Sequence, residues 1–310
     1  MKKCYFFIDD VIWCLRDIAR QKPASIFDQH FLGALKKAHD MYGLKVQLNL
    51  FYRTDFYYGM DEFTLRDMPD TYKNEFQENK DWLRFGFHSL QEFPDYPFVN
   101  ADYDDVKKVL DLIKGEVNRF AGEGCFANAL LSHWLPVSKD GCKAIYDSGI
   151  KLMGTTYGSK EEYNGDPNTL PYGHAQRLLN NRKPETGVFS RGTRDKAIDS
   201  SICGYNHISS EICDAMLTNF KVHKDEETGL YFKRFSYGPC LNLTPLNEIE
   251  NDLKPHLGNE FIGYATHEQY SYPDYFAYQS DSEDKLFTAA KILSENGYEY
   301  FFIEELVENL

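Results

Sequence analysis

The strongest constraint on this chain is a repeated order of short apolar runs and helix-length segments. The runs Tyr5–Ile8, Lys45–Phe51, Arg84–His88 and Cys125–Leu131 have the length and residue types of strands. Each is followed by helical periodicity: Ser25–Tyr42, Pro69–Trp82, Tyr103–Phe120 and Ser138–Asp147. Ser25 is a capping residue for the first helix, and Gly43 is a stop. A strand that returns to its own sheet through a helix runs parallel to its predecessor, so this rhythm predicts βαβ units. It continues to a short strand at Ile150–Met153 and then fails. It resumes with a helix at Pro245–Leu253, a strand at Phe261–Ala265, a helix at Ser282–Asn296 and a last strand at Tyr298–Phe302. Residues 157–243 form an insertion in this α/β pattern. Within it, Met216–His223 and Leu230–Phe235 flank an Asp225-Glu226-Glu227-Thr228-Gly229 turn and predict a β-hairpin.

With 310 residues, the chain can bury the core of one large α/β barrel or of two smaller domains. A net charge of −14 repels phosphates, which argues against nucleic acid and anionic membranes as partners. Tyr and Phe number 22 and 23, enough to fill a core and still leave aromatic faces for stacking on a sugar ring. The seven cysteines are odd in number and include no CxxC pair, so a reducing, cytoplasmic setting is expected. Lys2-Lys3 precedes an apolar run, but Asp9, Asp10, Arg16 and Asp17 interrupt it, so a signal peptide is not expected. No apolar stretch reaches membrane-spanning length.

Three predicted strands end in groups that carry chemistry. The first ends in Asp9-Asp10, the third in His88, and the strand at Phe261–Ala265 leads into His267. Strand residues project alternately, so adjacent aspartates can serve two roles. In a parallel barrel the strand C-termini converge, which brings such groups to one face. His88 and Glu92 stand four residues apart and would share the face of a helical turn. Asp10, His88 and Glu92 therefore make a candidate three-ligand metal site with open positions for water and substrate. Asp9 is the candidate base and His267 the candidate acid.

These motifs resemble the polysaccharide deacetylase, or NodB-homology, superfamily of carbohydrate esterases. Phe7-Ile8-Asp9-Asp10 is similar to the family's Phe-Asp-Asp strand end. His88-Ser89-Leu90-Gln91-Glu92 keeps the first His of its His-Ser/Thr-x-x-His motif, with Glu92 at the place of the second. Tyr264-Ala265-Thr266-His267 keeps the His of its Leu-x-x-His motif. The similarity covers about residues 1–155 and 255–310. It implies a single domain over residues 1–310, folded as a distorted (β/α)7 TIM-like barrel with a mixed, β-rich insertion. It implies removal of an acetyl group from a sugar or polysaccharide with one divalent metal. Asp9 would be the base, Asp10 a ligand and His267 the acid. Zinc is the first expectation, and a site of one His and two carboxylates also suits manganese, iron or cobalt.

The chain departs from the family at the third motif. An Arg-Pro-Pro there orients the base, whereas this chain has Ser132-His133-Trp134-Leu135-Pro136. His133 is the candidate replacement for the arginine, and Trp134 the candidate wall of the acetyl or sugar pocket. Three other readings share the pattern: a non-catalytic carbohydrate-binding relative, a hydrolase of another linear C–N bond, and a two-carboxylate glycosidase.

Overall fold

A computed structural model describes residues 2–54, 62–93, 97–98, 101–133, 137–155, 222–234 and 238–308. Its strands are β1 (Lys2–Val11), β2 (Val46–Phe51), β3 (Leu83–Ser89), β4 (Ala129–Leu130), β5 (Leu152–Thr155), β6 (His223–Lys224), β7 (Tyr231–Arg234), β8 (Phe261–His267) and β9 (Tyr298–Tyr300). Its α-helices are α1 (Trp13–Gln21), α2 (His30–Tyr42), α3 (Lys73–Asn79), α4 (Tyr103–Phe120), α5 (Lys139–Asp147), α6 (Ile249–Leu253) and α7 (Ser282–Glu295). Two compact units divide the chain. One comprises residues 1–86, 113–127 and 236–305, and the other residues 87–112, 128–235 and 306–310.

The first unit is built on a five-stranded sheet of order β3-β2-β1-β8, with β9 also paired to β1. β1 runs parallel to β8 from Lys3 to Asp9, to β9 from Lys2 to Cys4, and to β2 from Phe7 onward. One edge of β1 is thus covered by β8, and the other by β9 at its start and β2 at its end. Every residue from Cys4 to Val11 is buried, which is why the strand reads as a continuous apolar run rather than an alternating one. Its aromatic residues pack on both sides: Phe6 stacks on Tyr264 at 4.3 Å between centroids, and Tyr5 meets Phe301 edge-on at 5.8 Å. Much of the aromatic content is therefore core, as the fully buried Phe76, Phe85 and Phe120 cluster also shows.

The second unit contains a four-stranded sheet of order β4-β5-β7-β6. β4, β5 and β7 are parallel, and β6 closes the sheet as the antiparallel arm of a hairpin with β7. That hairpin matches the one expected around Asp225–Gly229, whose Gly229 has φ 82 and takes the turn that L side chains resist. Ser138 caps α5 by accepting a hydrogen bond from the Gly141 amide at 3.0 Å.

The α/β character and the parallel strands agree with expectation, but the closed (β/α)7 barrel does not: among the described residues both sheets are open. The expected fourth strand, Cys125–Leu131, is divided. Phe126 makes only an isolated bridge to Phe85, while Ala129 and Leu130 pair with β5 in the second unit's sheet. The expected helix Ser25–Tyr42 also breaks, because Gln29 is extended (ψ 127) between a short 3-10 turn and α2. Most of the 157–243 insertion lies outside the described residues. Among those described, no helix is long and apolar enough to cross a membrane.

Candidate functional site

In the first unit the site is built on the end of β1. Asp10 has φ 60, in the left-handed region, and the β1–β2 register shifts between Ile8 and Val11. A bulge of this kind re-aims side chains at a strand end, and aspartate tolerates the left-handed conformation better than most residues. Both aspartates are buried. Asp9 Oδ1 accepts a hydrogen bond from Asn49 Nδ2 at 2.6 Å, and Asn49 Oδ1 accepts from Gln47 Nε2 at 2.7 Å. Gln47 and Asn49 alternate along β2, so both face one side of the sheet. Gly86 on β3 makes room for them: a Cβ there would collide with Asn49 Oδ1 and Gln47 Nε2. Asp10 Oδ2 accepts from Gln269 Nε2 at 2.7 Å.

The adjacent strand brings His267. It is the register partner of Asp9, so the expected base and acid stand side by side on neighbouring parallel strands. His267 Nδ1 lies 3.0 Å from Asn242 Oδ1, which can only accept, so Nδ1 carries the proton and Nε2 is turned to other chemistry. The next residue, Glu268, is fully buried and binds the start of α1. It accepts from the amides of Ile12 at 2.6 Å, Trp13 at 2.8 Å and Cys14 at 2.7 Å. Burial raises its carboxyl from 4.5 to about 7, against the opposing pull of those donors. Gln269 and Glu268 thus fasten both the Asp10 side chain and the helix that follows it.

In the second unit, His88 and His133 face each other. His88 Nδ1 lies 2.7 Å from the Leu131 carbonyl oxygen, and His133 Nε2 lies 2.8 Å from the Glu92 carbonyl oxygen. Carbonyls accept only, so these two outer nitrogens carry the ring protons. The inner nitrogens, His88 Nε2 and His133 Nδ1, stand 3.1 Å apart. In neutral rings both are then lone-pair donors pointed at one locus. Metal-binding histidines are held this way, each giving its outer N–H to a carbonyl or carboxylate. Two imidazole nitrogens bound to one tetrahedral zinc at about 2.0–2.1 Å would be about 3.3 Å apart, close to the observed spacing.

His88 and His133, both buried, are the residues of the second unit placed to hold a metal ion. Glu92 is half-buried, and it is its backbone carbonyl that meets His133. The structure leaves Asp9, Asp10 and His267 together on the first unit's sheet, with Asn49 orienting Asp9. Trp134 lies outside the described residues. Sequence reasoning missed Gln47, Asn49, Asn242, Glu268 and Gln269. The available signal was two amides alternating along an otherwise apolar strand, Val46–Phe51.

No protein-family model matches the sequence, and no curated protein matches it. A solved structure does: the 4-alpha-glucanotransferase from Thermococcus litoralis, at 7% identity and a TM-score of 0.52. The match covers 100% of this chain and 40% of that one. At that identity the likeness concerns the fold, a mixed α/β arrangement with parallel strands.

Proposed function

We propose that this chain is a metal-dependent hydrolase that removes an acetyl group from a sugar or polysaccharide. The observation that carries the reading is the pair of imidazoles whose outer nitrogens are both tied to carbonyls while the inner two face each other at 3.1 Å. In this reading His88 and His133 are ligands of one divalent cation, zinc first, with manganese, iron or cobalt as further fits, and Asp10 is the carboxylate ligand that the sequence motif implies. Such a cation supplies Lewis acidity toward an acyl carbonyl and lowers the pKa of water.

The chain's own residues divide the proton work. Asp9, held by Asn49, accepts a proton from the water that attacks the acyl carbon. His267 keeps its Nδ1 proton on Asn242, so as imidazolium it delivers the Nε2 proton to the departing amine or alkoxide. Water adds to the acyl carbon, the C–N or C–O bond breaks, and acetate leaves. The pairing of Asp9 with His267 across neighbouring strands supports this division of base and acid.

The test is acetate release from a panel of N- and O-acetylated sugars, by protein stripped with chelator and then reloaded with zinc, manganese, iron or cobalt. Turnover that requires the metal, with Asp9→Asn binding sugar but releasing no acetate, is the expected result. No release from a broad panel with any of the four metals would sink the reading.

A further inference from the structure

The first unit contains a cavity of about 130 Å³ between its sheet and the helices α2 and α7. It approaches the roughly 150 Å³ cavity that, when lined by Leu, Ile and Phe, takes up benzene. The floor is formed by Phe6 and Ile8 of β1 and Thr266 of β8. The walls include Phe31 and Leu35 of α2 and Leu286 of α7, all buried. The mouth is polar, with Tyr278, Ser280, Ser282 and Glu283 around it.

Three features separate this cavity from a packing fault. It is two-toned, with an apolar body and a hydrogen-bonding mouth, as small-molecule sites are. It reaches the central sheet: Thr266 is the register partner of the buried Ile8, yet its side chain keeps partial exposure. It is also wired to the site described above. Thr266 Oγ1 lies 3.4 Å from Asn242 Oδ1, the atom that accepts the His267 Nδ1 proton.

We infer that this cavity is a binding site for a ring-sized apolar molecule bearing one amino or hydroxyl group. The volume suits a single six-membered ring, whose short polar arm would reach into the open mouth. The head group follows from the mouth, where three hydroxyls and the Glu283 carboxylate favour a donor and disfavour an anion. The Lys37 ammonium stands 3.8 Å from Glu283 but does not line the cavity, so the charge nearest a bound molecule is the carboxylate. A molecule seated on Thr266 competes for the hydrogen bond to Asn242 and so adjusts how firmly His267 is held. The inference does not depend on the hydrolase reading.

The experiment is an amide NMR titration of the whole chain with benzylamine, benzyl alcohol and benzoate. The expected result is saturable binding of benzylamine and benzyl alcohol, with a Kd below about 1 mM, and benzoate at least about tenfold weaker. The shifted amides should cluster at Ala34, Thr266, His267 and Leu286. Ala34→Leu, which fills the cavity from α2, should abolish those shifts while leaving the remaining spectrum intact. Two results overturn the site: shifts that do not saturate or that map elsewhere on wild type, and unchanged binding by a folded Ala34→Leu. Benzoate binding as tightly as benzylamine overturns the choice of ligand. The wild-type map decides the question even if the variant fails to fold.

Discussion

At the scale of single residues, what distinguishes this site is the company its carboxylates keep. Asn49 fixes Asp9, and Gly86 leaves the space in which Asn49 and Gln47 lie. Asn49→Ala should therefore lower kcat for acetate release by about 10²-fold, the lower end of what a general base contributes, with little change in KM. Gly86→Ala should lower kcat likewise and also cost about 1–3 kcal/mol in a urea melt, because the added methyl overfills the sheet face. Glu268 makes a separate prediction. Its carboxyl is raised from 4.5 to about 7, so between those values the folded state binds a proton more tightly than the unfolded chain. The resulting stability is full below pH 4.5 and is lost as pH rises to about 7. By the size of the shift this is about 3 kcal/mol. Glu268→Gln should flatten that slope, seen as the pH dependence of the urea midpoint. It should also lower stability by about 1–3 kcal/mol, since an amide NH₂ would then face a backbone N–H. That Asp9, Asp10, His88 and His267 lie at the ends of strands was legible in the sequence. Asn49 and Glu268 were not, because their roles depend on which strands lie side by side and on partners as far as 256 positions away.

At the scale of elements, the central device is the irregular end of β1. A regular strand would send Asp9 and Asp10 to opposite faces, and the left-handed Asp10 breaks that alternation. Asp10→Asn can keep both the backbone conformation and an acceptor for Gln269, so its thermal midpoint without metal should stay near wild type. Asp10→Val places a β-branched residue at positive φ and should be less stable by about 1–2 kcal/mol or more, measured the same way. The pair separates what the conformation requires from what the charge does. The first unit's strands were legible because apolar runs bounded by polar residues survive burial on both faces. The barrel was not. Strand-to-helix rhythm predicts parallel pairing but not partners, and the stretch from Cys125 to Leu131 splits between Phe85 and β5. His133 was noticed in the sequence but its ring partner was not, for a similar reason. Its ring faces His88 because the chain returns past β3, where the His133 amide donates to the His88 carbonyl at 3.0 Å.

At the scale of the whole molecule, metal uptake would be a folding term as well as a catalytic one. A cation that binds only the folded chain at about 100 times its Kd adds about 2.7 kcal/mol, so zinc should raise the Tm of chelator-stripped protein by several degrees. His133→Ala should lose that rise, whereas Glu92→Gln, which leaves the carbonyl in place, should retain it. The order of the chain in the first unit has a consequence for biosynthesis. β1 is made first, yet β8 and β9, which complete both its edges, lie at residues 261–267 and 298–300. At about 5–20 residues per second, this longest strand waits on the ribosome for tens of seconds or less with one edge open. Such an edge invites pairing with other nascent chains. This protein's dependence on chaperones during synthesis should exceed its dependence on them once folded.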